Sequence, residues 1–485
     1  MKLRSFISSY NIIFFLLFTC LLGFYPQSIY PPVYSLYQLS LSYIHVQNGL
    51  LYGLGQHRYF DNLTLPYHNF FLPFVFSSTA PVNGDVTIPW YIHTSGFGIL
   101  WNQPGYGSFN VRNDSQIAWT ASATHQLDLW ITTTPPNGQN TSSSPYAALM
   151  KNYADAVGHP NPLPKFASGF WQSKNRYRSQ QELLDVAKGY YDRQIPLSII
   201  VIDWFHWTKM GTRPGYQWWN GRHDDEIAMV WAREHQRTFY DGLRGEKEED
   251  IIMLSRQAWV GSQTLNVGVW SGDIDSSWVE LLKQIKIAQN VGLSGIYWWT
   301  TDIGGYRYAG LSDDQFQELL VRWFQFGAFC PLFRVHGERY PPLPNNECGF
   351  SGNHNEVWLF KYSEQITAII RLRETLRDYI EYHLNISSQN GTPILRPMFY
   401  DFSNDQECYF AEDQYLFGSD YLVAPVYAYQ ATSRSVYLPK LDGQNLVWQH
   451  YYSKQNYQGG QRYNISTTVN DFPLFVKTAS TQLKP

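Results

Sequence analysis

The spacing of apolar residues divides the chain into three stretches with different periods. Residues 30–160 carry short alternating apolar and polar runs, such as 86–93 and 98–101, separated by Gly, Pro, Asn and Ser. No amphipathic helix is predicted in this stretch before Pro145–Val157. The pattern therefore predicts an N-terminal β-sandwich over residues 30–160.

From Lys165 onward, short apolar runs alternate with amphipathic helices. Strands are predicted at 166–171, 197–202, 251–254, 266–270, 294–299 and 329–334, and helices at 179–193, 224–242, 278–290, 313–326 and 363–382. Repeated βα units indicate a parallel α/β layout. Because polar residues follow the strands, we predict a (β/α) TIM-type barrel over 161–388 rather than a doubly wound sheet.

After residue 389 the chain returns to short strands, including 421–426 and 435–438. The predicted fold class is therefore α/β plus all-β, with a barrel flanked by an N-terminal β-sandwich and a C-terminal β-sandwich over 389–485. The C-terminal boundary rests on the loss of helical periodicity alone.

Aromatic residues make up 17% of the chain, against 16% for charged residues. Such rings fill β-rich cores, and they also stack on the apolar faces of sugars. The net charge is −4, with no basic stripe, so nucleic acid is excluded as an expected partner. The sequence gives no indication of the oligomeric state.

The N-terminus has the layout of a secretory signal peptide, predicted over residues 1–24. Lys2 and Arg4 precede an apolar segment at 12–23, which is short for a membrane span. A signal anchor is the alternative, and no later membrane span is predicted. Six N-x-S/T sequons follow, at Asn62, Asn113, Asn140, Asn385, Asn390 and Asn464. We expect a secreted or secretory-lumen glycoprotein.

Three cysteines remain once Cys20 leaves with the signal peptide: Cys330, Cys348 and Cys408. At most one disulfide can form, and Cys330–Cys348 is one option. No CxxC or HExxH spacing occurs, so we expect no metal cluster.

Polar and aromatic residues follow the predicted barrel strands, at the end where barrel enzymes place their active sites. They are Trp171, Asp203, Trp204, Arg256, Trp270, Asp273, Trp299, Asp302 and His336. Carboxylates, Arg and His bind hydroxyl groups, and tryptophan rings cover a sugar face. Two carboxylates flanking a glycosidic oxygen are the usual arrangement for glycoside hydrolysis.

Each of these residues also has an ordinary structural explanation. A lone Asp at a strand end is often a helix cap, and Arg256 could simply form an ion pair with Asp302 or Asp273. His336 could be a hydrogen-bonded loop residue, and the tryptophans could belong to the core. Only their occurrence together, in order, favours a site.

Six runs in the barrel resemble glycoside hydrolase family 31, which includes α-glucosidases and α-xylosidases. They are GFWQSK at 169–174, IDW at 202–204, SRQAWVG at 255–261, WSGDI at 270–274, WWTTDIGG at 298–305 and RVHG at 334–337. YGLG at 52–55 and GSDYLVAPV at 418–426 extend the resemblance into both sandwiches.

The resemblance implies retaining hydrolysis of a terminal α-linked glucose or xylose from an oligosaccharide or other α-glycoside, without a cofactor. Asp273 matches the family's acid/base. Asp203, Arg256, Asp302 and His336 match positions that bind hydroxyls of the sugar at the −1 subsite. Trp171, Trp204, Trp270 and Trp299 are expected to form apolar walls.

The pattern departs from the family between Asp203 and Asp250, where two strand–helix units are expected but only one helix is visible. The family's nucleophilic Asp stands at the end of the fourth strand, yet residues 205–223 contain no Asp or Glu. Asp224, Asp225 and Glu226 follow, at a predicted helix start where acids favour the helix dipole. We therefore expect a barrel truncated near 205–223, without its third and fourth strands.

Three readings of this gap follow from the sequence. A skipped exon or faulty gene model would make the chain an incomplete version of an active hydrolase. A real deletion would leave a non-enzymatic carbohydrate-binding pseudoenzyme. A product that cannot close its barrel would fail to fold, since unpaired strand edges promote aggregation.

Overall fold

The structure is a computed structural model. It describes residues 25–26, 37–44, 50–57, 70–74, 85–111, 116–124, 126–134, 144–174, 177, 179–203, 228–246, 248–337, 355–443 and 446–479. The predicted signal peptide, Trp204, the acids at 224–226 and Cys348 lie outside these residues. No helix in the described part of the chain is both long enough and apolar enough to cross a bilayer.

Two antiparallel sheets form the N-terminal part. One has the order β1-β2-β8-β7-β4 and the other β3-β5-β6-β9. Their bounds are β1 Tyr25–Pro26, β2 Tyr37–Ile44, β3 Leu51–Gln56, β4 Phe70–Phe74, β5 Val86–His93, β6 Phe97–Trp101, β7 Gly107–Val111, β8 Gln116–Thr124 and β9 Leu129–Thr133. A shared core between them contains Leu41, Tyr91, Trp101 and Trp119, as expected of a β-sandwich.

The first helix, α1, spans Pro145–Val157, as the sequence predicts. Ser144 caps its N-terminus by accepting a hydrogen bond from the Tyr146 amide, and a proline opens its first turn. Gly158, at φ 101°, ends it. The signals of Ser, Pro and Gly are local, which is why these bounds can be read from the sequence.

Six parallel strands follow in the described part of the barrel. They are β10 Phe170–Lys174, β11 Ile199–Ile202, β12 Met253–Ser255, β13 Val267–Trp270, β15 Trp299–Thr300 and β17 Phe333–Val335; the short pair β14 Asp275–Ser276 and β16 Arg307–Tyr308 lies beyond them. They form two sheets, β11-β10-β17 and β12-β13-β15. A bridge between Ile303 and Val335 joins the sheets, so the spatial order is β11-β10-β17-β15-β13-β12.

Helices cover these strands. They are α2 Gln180–Asp192, α3 Trp231–Gly245, α4 Trp278–Leu293, α5 Asp313–Gly327, α6 Ser363–Thr375 and α7 Arg377–Asn390. Ser179 caps α2 by accepting a hydrogen bond from the Glu182 amide, and the Glu182 carboxylate accepts a hydrogen bond from Lys174. The single helix predicted over 363–382 is instead two helices that meet at Leu376.

The C-terminal part contains a six-stranded antiparallel sheet, β18-β19-β20-β25-β22-β23, and the separate antiparallel pair β21-β24. The bounds are β18 Leu395–Arg396, β19 Tyr415–Phe417, β20 Tyr421–Val423, β21 Ser433–Leu438, β22 Leu446–His450, β23 Asn456–Tyr457, β24 Gln461–Ser466 and β25 Leu474–Ala479. Buried Arg322 on α5 donates to the carbonyls of Thr468 and Asp471, which ties this sheet to the barrel.

Other local predictions are wrong as well. The strand expected at 166–171 begins only at Phe170, because Lys165–Ser168 form a 3-10 turn closed by the Ser168 hydroxyl on the Lys165 carbonyl. The strand expected at 294–299 is reduced to Trp299–Thr300, because α4 runs on to Leu293 and Gly295 turns at φ 82°. Cys330 is a buried free thiol and Cys348 lies outside the described residues, so the structure gives no support to the Cys330–Cys348 option.

Candidate active site

The C-terminal ends of the barrel strands bring most of the predicted site residues to one face. Asp203 follows β11, Arg256 follows β12, Asp273 lies three residues beyond β13, and His336 follows β17. Parallel strands point their carboxyl ends in one direction, so residues that are far apart in sequence meet there. Trp204 is the predicted site residue outside the described part of the chain.

Asp273 faces Arg256 across the mouth of the barrel. The Arg256 Nη2 and the Asp273 Oδ2 are 3.5 Å apart, and the two side chains are 40% and 26% exposed. Gly272 precedes Asp273 with φ 75°, a conformation that turns the chain directly after β13. A carboxyl group that is partly open to solvent and held by a cation can reach a ligand in the mouth.

Asp302 has a different partner, Arg334 on β17. Their side chains are 0% and 1% exposed, and the Arg334 Nη2 donates to the Asp302 Oδ1. The Arg334 guanidinium also lies over the Trp270 ring, 5.9 Å from its centroid. The sequence allows either Asp302 or Asp273 as the ion-pair partner of Arg256. In the structure the partner is Asp273.

His336 joins Asp203 to Ser173. The His336 Nε2 is 3.2 Å from the Asp203 Oδ2, and its Nδ1 is 2.8 Å from the Ser173 hydroxyl. The ring of Tyr306 stacks on the imidazole, with centroids 5.6 Å apart and planes 18° apart. The histidine is therefore held on both nitrogens and on one face.

The predicted tryptophan walls differ in their surroundings. Trp171 is 2% exposed, and its indole donates to the Ala167 carbonyl, so it packs in the core. Trp299 is also buried, whereas Trp270 is partly exposed beside Arg334. The sugar-stacking roles stay predictions, and Trp270 has the surroundings that suit one best.

Gln56, at the end of β3, is a site residue that the sequence reasoning missed. Its side chain accepts from the Trp299 indole at 2.7 Å and donates to the Trp270 carbonyl at 3.2 Å. It follows the YGLG run directly, which is the signal that could have found it. The N-terminal sandwich therefore contributes to the barrel mouth.

The YGLG run is held against α4 by its backbone. Asn290 exchanges hydrogen bonds with the amide and the carbonyl of Gly53, and Ser294 accepts from the Gly55 amide. Gly53 and Gly55 have φ 119° and 100°, and a Cβ on Gly55 would lie 2.0 Å from the Val86 carbonyl oxygen. Only glycine allows the strand to approach its neighbour this closely.

Beside Gln56, burial lowers the pKa of His57, and its Nε2 lies 2.7 Å from the Leu54 carbonyl oxygen. A neutral imidazole that donates from Nε2 fits this position. In the described residues, no group of three or more His, Cys, Asp or Glu side chains could hold a metal ion.

These features can bind hydroxyl groups and supply a proton. Carboxylates paired with Arg and His side chains accept and donate to sugar hydroxyls, and Asp273 stands where it can protonate a leaving oxygen. Such an arrangement, at the C-terminal face of a parallel barrel with flanking β-sheets, is that of the (β/α)-barrel glycoside hydrolases.

Comparison with family models identifies the particular family. Residues 160–236 and 221–383 match the glycosyl hydrolases family 31 TIM-barrel domain, and residues 391–480 match the glycosyl hydrolase family 31 C-terminal domain. The chain belongs to glycoside hydrolase family 31. The resemblance, the barrel fold and the glycoside hydrolase type predicted from the sequence are thereby confirmed.

Several relatives are similar over much of the chain. An α-xylosidase from Saccharolobus solfataricus is 26% identical over 89% of this chain and 69% of its own length. An uncharacterized family 31 glucosidase from Pseudescherichia vulneris is 30% identical over 63% of this chain and 75% of its own. The crystal structure of a soil-metagenome α-xylosidase complexed with xylose is 28% identical, with a TM-score of 0.80 covering 92% of this chain and 80% of that one.

The alignment to the Saccharolobus enzyme also contains positions that this chain lacks. The match to the Saccharolobus enzyme is 539 positions long, whereas 89% of 485 residues is about 430, which leaves roughly 100 positions without a residue of this chain. The barrel match is divided into two segments that overlap at 221–236. The interruption therefore falls where the sequence lacks its strand–helix units.

Proposed function

We propose that this chain carries the −1 sugar site and the acid/base of a retaining family 31 glycosidase acting on a terminal α-linked xylose or glucose. The observation that carries the proposal is the Asp273–Arg256 pair, which faces the same mouth as the Asp203–His336 pair. In this proposal Asp273 is the acid that protonates the glycosidic oxygen. The partly exposed side chains of Asp203 and Arg256 bind sugar hydroxyls, and the more buried His336 and Asp302 line the same site.

Xylose is the first candidate for the bound sugar. The relatives from Saccharolobus and Aspergillus niger that align over 89% and 81% of this chain are named α-xylosidases. The human neutral α-glucosidase C aligns over 53% of it. Calorimetric titration with xylose and with glucose tests this choice, and tighter binding of glucose contradicts it.

We further propose that the chain binds such sugars but turns them over very slowly. A retaining mechanism needs a carboxylate nucleophile to form the glycosyl intermediate. The described mouth supplies Asp273 as acid but offers no evidence for the family's nucleophile. The roughly 100 aligned positions without a residue of this chain and the split barrel match support the loss of the nucleophile with the missing segment.

Azide rescue tests this reading. With 4-nitrophenyl α-xyloside, the azide nitrogen attacks C1 as the C1–O bond breaks, and 4-nitrophenolate leaves with the bonding electrons. We expect turnover near background without azide, and a β-xylosyl azide product with it. Fast turnover without azide would refute the loss of the nucleophile. Saturable sugar binding with no reaction in either condition would favour the pseudoenzyme.

The native transcript across codons 203–224 distinguishes an incomplete gene model from a real deletion. A product longer by about two strand–helix units, with an Asp codon at a strand end, makes the full-length protein an ordinary retaining α-glycosidase. A product of the printed length makes the deletion real.

We also propose that the protein enters the secretory pathway and is glycosylated. The charged start and the apolar segment at 12–23 support a cleaved signal peptide. Among the sequons in the described residues, Asn385, Asn390 and Asn464 are exposed. Expression with the native N-terminus in a eukaryotic cell line tests this, and a protein retained in the cytosol without a mass shift on deglycosylation contradicts it.

A further inference from the structure

Ser173 is a buried hydroxyl at the mouth to which the proposed function gives no role. It lies on β10, between β11 and β17, with Ser173 opposite Val201 and Gln172 opposite Val335. Asp203 lies two residues beyond Val201, and His336 follows Val335. The register therefore places this serine between the two strand ends that carry the predicted sugar-binding pair.

The three side chains form a line from the core to the mouth. Ser173 is fully buried, the His336 side chain is 6% exposed and the Asp203 side chain is 26% exposed. The Ser173 hydroxyl is 2.8 Å from the His336 Nδ1, and the His336 Nε2 is 3.2 Å from the Asp203 Oδ2. Only the outer end of the line is open to a ligand.

The positions of the hydrogens between Asp203, His336 and Ser173 follow from which atoms can donate and which can accept a hydrogen bond. An ionised carboxylate only accepts, so the His336 nitrogen that faces Asp203 carries a hydrogen. In a neutral imidazole the other nitrogen, Nδ1, is then an acceptor. The hydroxyl of Ser173 can donate to it, which satisfies a buried lone pair and fixes the rotation of the ring.

We infer that Ser173 is a positioning residue for the sugar site. Its hydroxyl orients the imidazole of His336 so that the Nε2–H points at Asp203 and the mouth, while the stacked Tyr306 ring limits movement out of that plane. This inference deepens the proposed function and rests on it for the sugar. The orientation of the ring itself stands independently.

NMR of the imidazole nitrogens tests the hydrogen bond between Ser173 and the His336 Nδ1 directly. In protein labelled with ¹⁵N-histidine, the His336 resonances are identified by their loss in His336→Gln. We expect the Nδ1 resonance of Ser173→Ala to move downfield, toward an unprotonated nitrogen without a hydrogen bond. Ser168→Ala is the matched control, since Ser168 is a buried serine in the 3-10 turn before β10, and its hydroxyl donates to the Lys165 carbonyl.

Titration with xylose measures how the loss of this hydrogen bond changes the affinity of the sugar site. We expect Ser173→Ala to bind xylose about tenfold more weakly, as for the loss of one buried hydrogen bond. Ser168→Ala should bind normally, and Ser173→Thr, which keeps the hydroxyl, should regain most of the affinity. Should the threonine variant fail to fold, the alanine comparison decides the point.

The outcomes separate the two claims. An unchanged Nδ1 resonance in Ser173→Ala overturns the inference, whatever the affinity does. A shifted resonance with unchanged xylose affinity overturns the link from Ser173 to the sugar site. If the unaltered chain binds neither xylose nor glucose, the proposed function fails, but the Nδ1 comparison still decides whether Ser173 orients the ring.

Discussion

The buried ion pair between Asp302 and Arg334 gives a prediction whose size can be worked from the structure. Asp302→Asn removes the negative charge and leaves the guanidinium, which is 1% exposed, in the core. Removing one partner of a buried pair costs about 3–5 kcal/mol. The Trp270 ring, 5.9 Å from the guanidinium, still faces the cation, so we expect a loss near the lower end, about 3 kcal/mol.

The assay is urea unfolding of four proteins that form a double-mutant cycle. Besides the unaltered chain and Asp302→Asn, it needs Arg334→Met and the double variant, in which neither charge of this pair remains. We expect the double variant to be more stable than either single variant, with a coupling free energy of about 2 kcal/mol or more. Tryptophan fluorescence and far-UV circular dichroism should report the same midpoints.

A surface pair provides the matched control. Lys361 and Asp314 are 2.7 Å apart but 52% and 68% exposed, so Asp314→Asn should leave the urea midpoint unchanged. If Asp302→Asn shifts the midpoint no more than this control does, the reasoning from burial is refuted. Additive single variants would refute the direct pairing of Asp302 with Arg334.

Three further predictions concern the mouth and the outer fold. Gln56→Met removes the hydrogen-bond partner that Gln56 gives to the Trp299 indole and the Trp270 carbonyl, and should lower the free energy of unfolding in urea by about 2–4 kcal/mol. A decrease smaller than that of an average surface substitution would contradict these two hydrogen bonds. Asp273→Asn should slow azide-dependent cleavage of a xyloside with a poor leaving group at least about 100-fold, yet change 4-nitrophenyl α-xyloside little, and equal effects on both would argue against an acid role. Burial lowers the pKa of His383 from 6.5 to about 4. On acidification the unfolded chain therefore binds a proton at this histidine before the folded chain does. The stability that the neutral, buried His383 contributes is present above pH 6.5 and is lost as the pH falls toward 4. The difference in urea midpoint between the unaltered chain and His383→Gln, measured from pH 7 to pH 4.5, should therefore narrow on acidification, and a constant difference would contradict the assignment.

Local signals in the sequence predict much of the fold. The Ser144, proline and Gly158 signals delimit α1, and the alternation at Val86–His93 gives β5 with its observed bounds. The ordered barrel motifs predict the family, which the comparisons confirm. Each of these depends on residues within about one turn or one strand, or on the order of such elements.

The remaining features depend on distances between elements. The sequence leaves Arg256 with two equivalent acidic candidates, because the choice is set by how β12, β13 and β17 align across the barrel. The residue type of Trp171 does not tell whether its ring faces the core or the mouth. Gln56 lies more than 200 residues from the tryptophans that it joins, and no local pattern encodes that contact.

The docking of the YGLG run onto α4 has a consequence for synthesis. Gly53 and its partner Asn290 are separated by 237 residues. At a ribosomal rate of about 5–20 residues per second, roughly 10–50 s pass between the synthesis of β3 and that of α4, the helix that hydrogen-bonds the β3 backbone. During that interval its polar groups and the bare surface around Gly53 and Gly55 are open to other chains. We therefore expect the yield of native protein to depend on chaperones that act while the chain is still growing, and to fall when translation is slowed between the sandwich and α4.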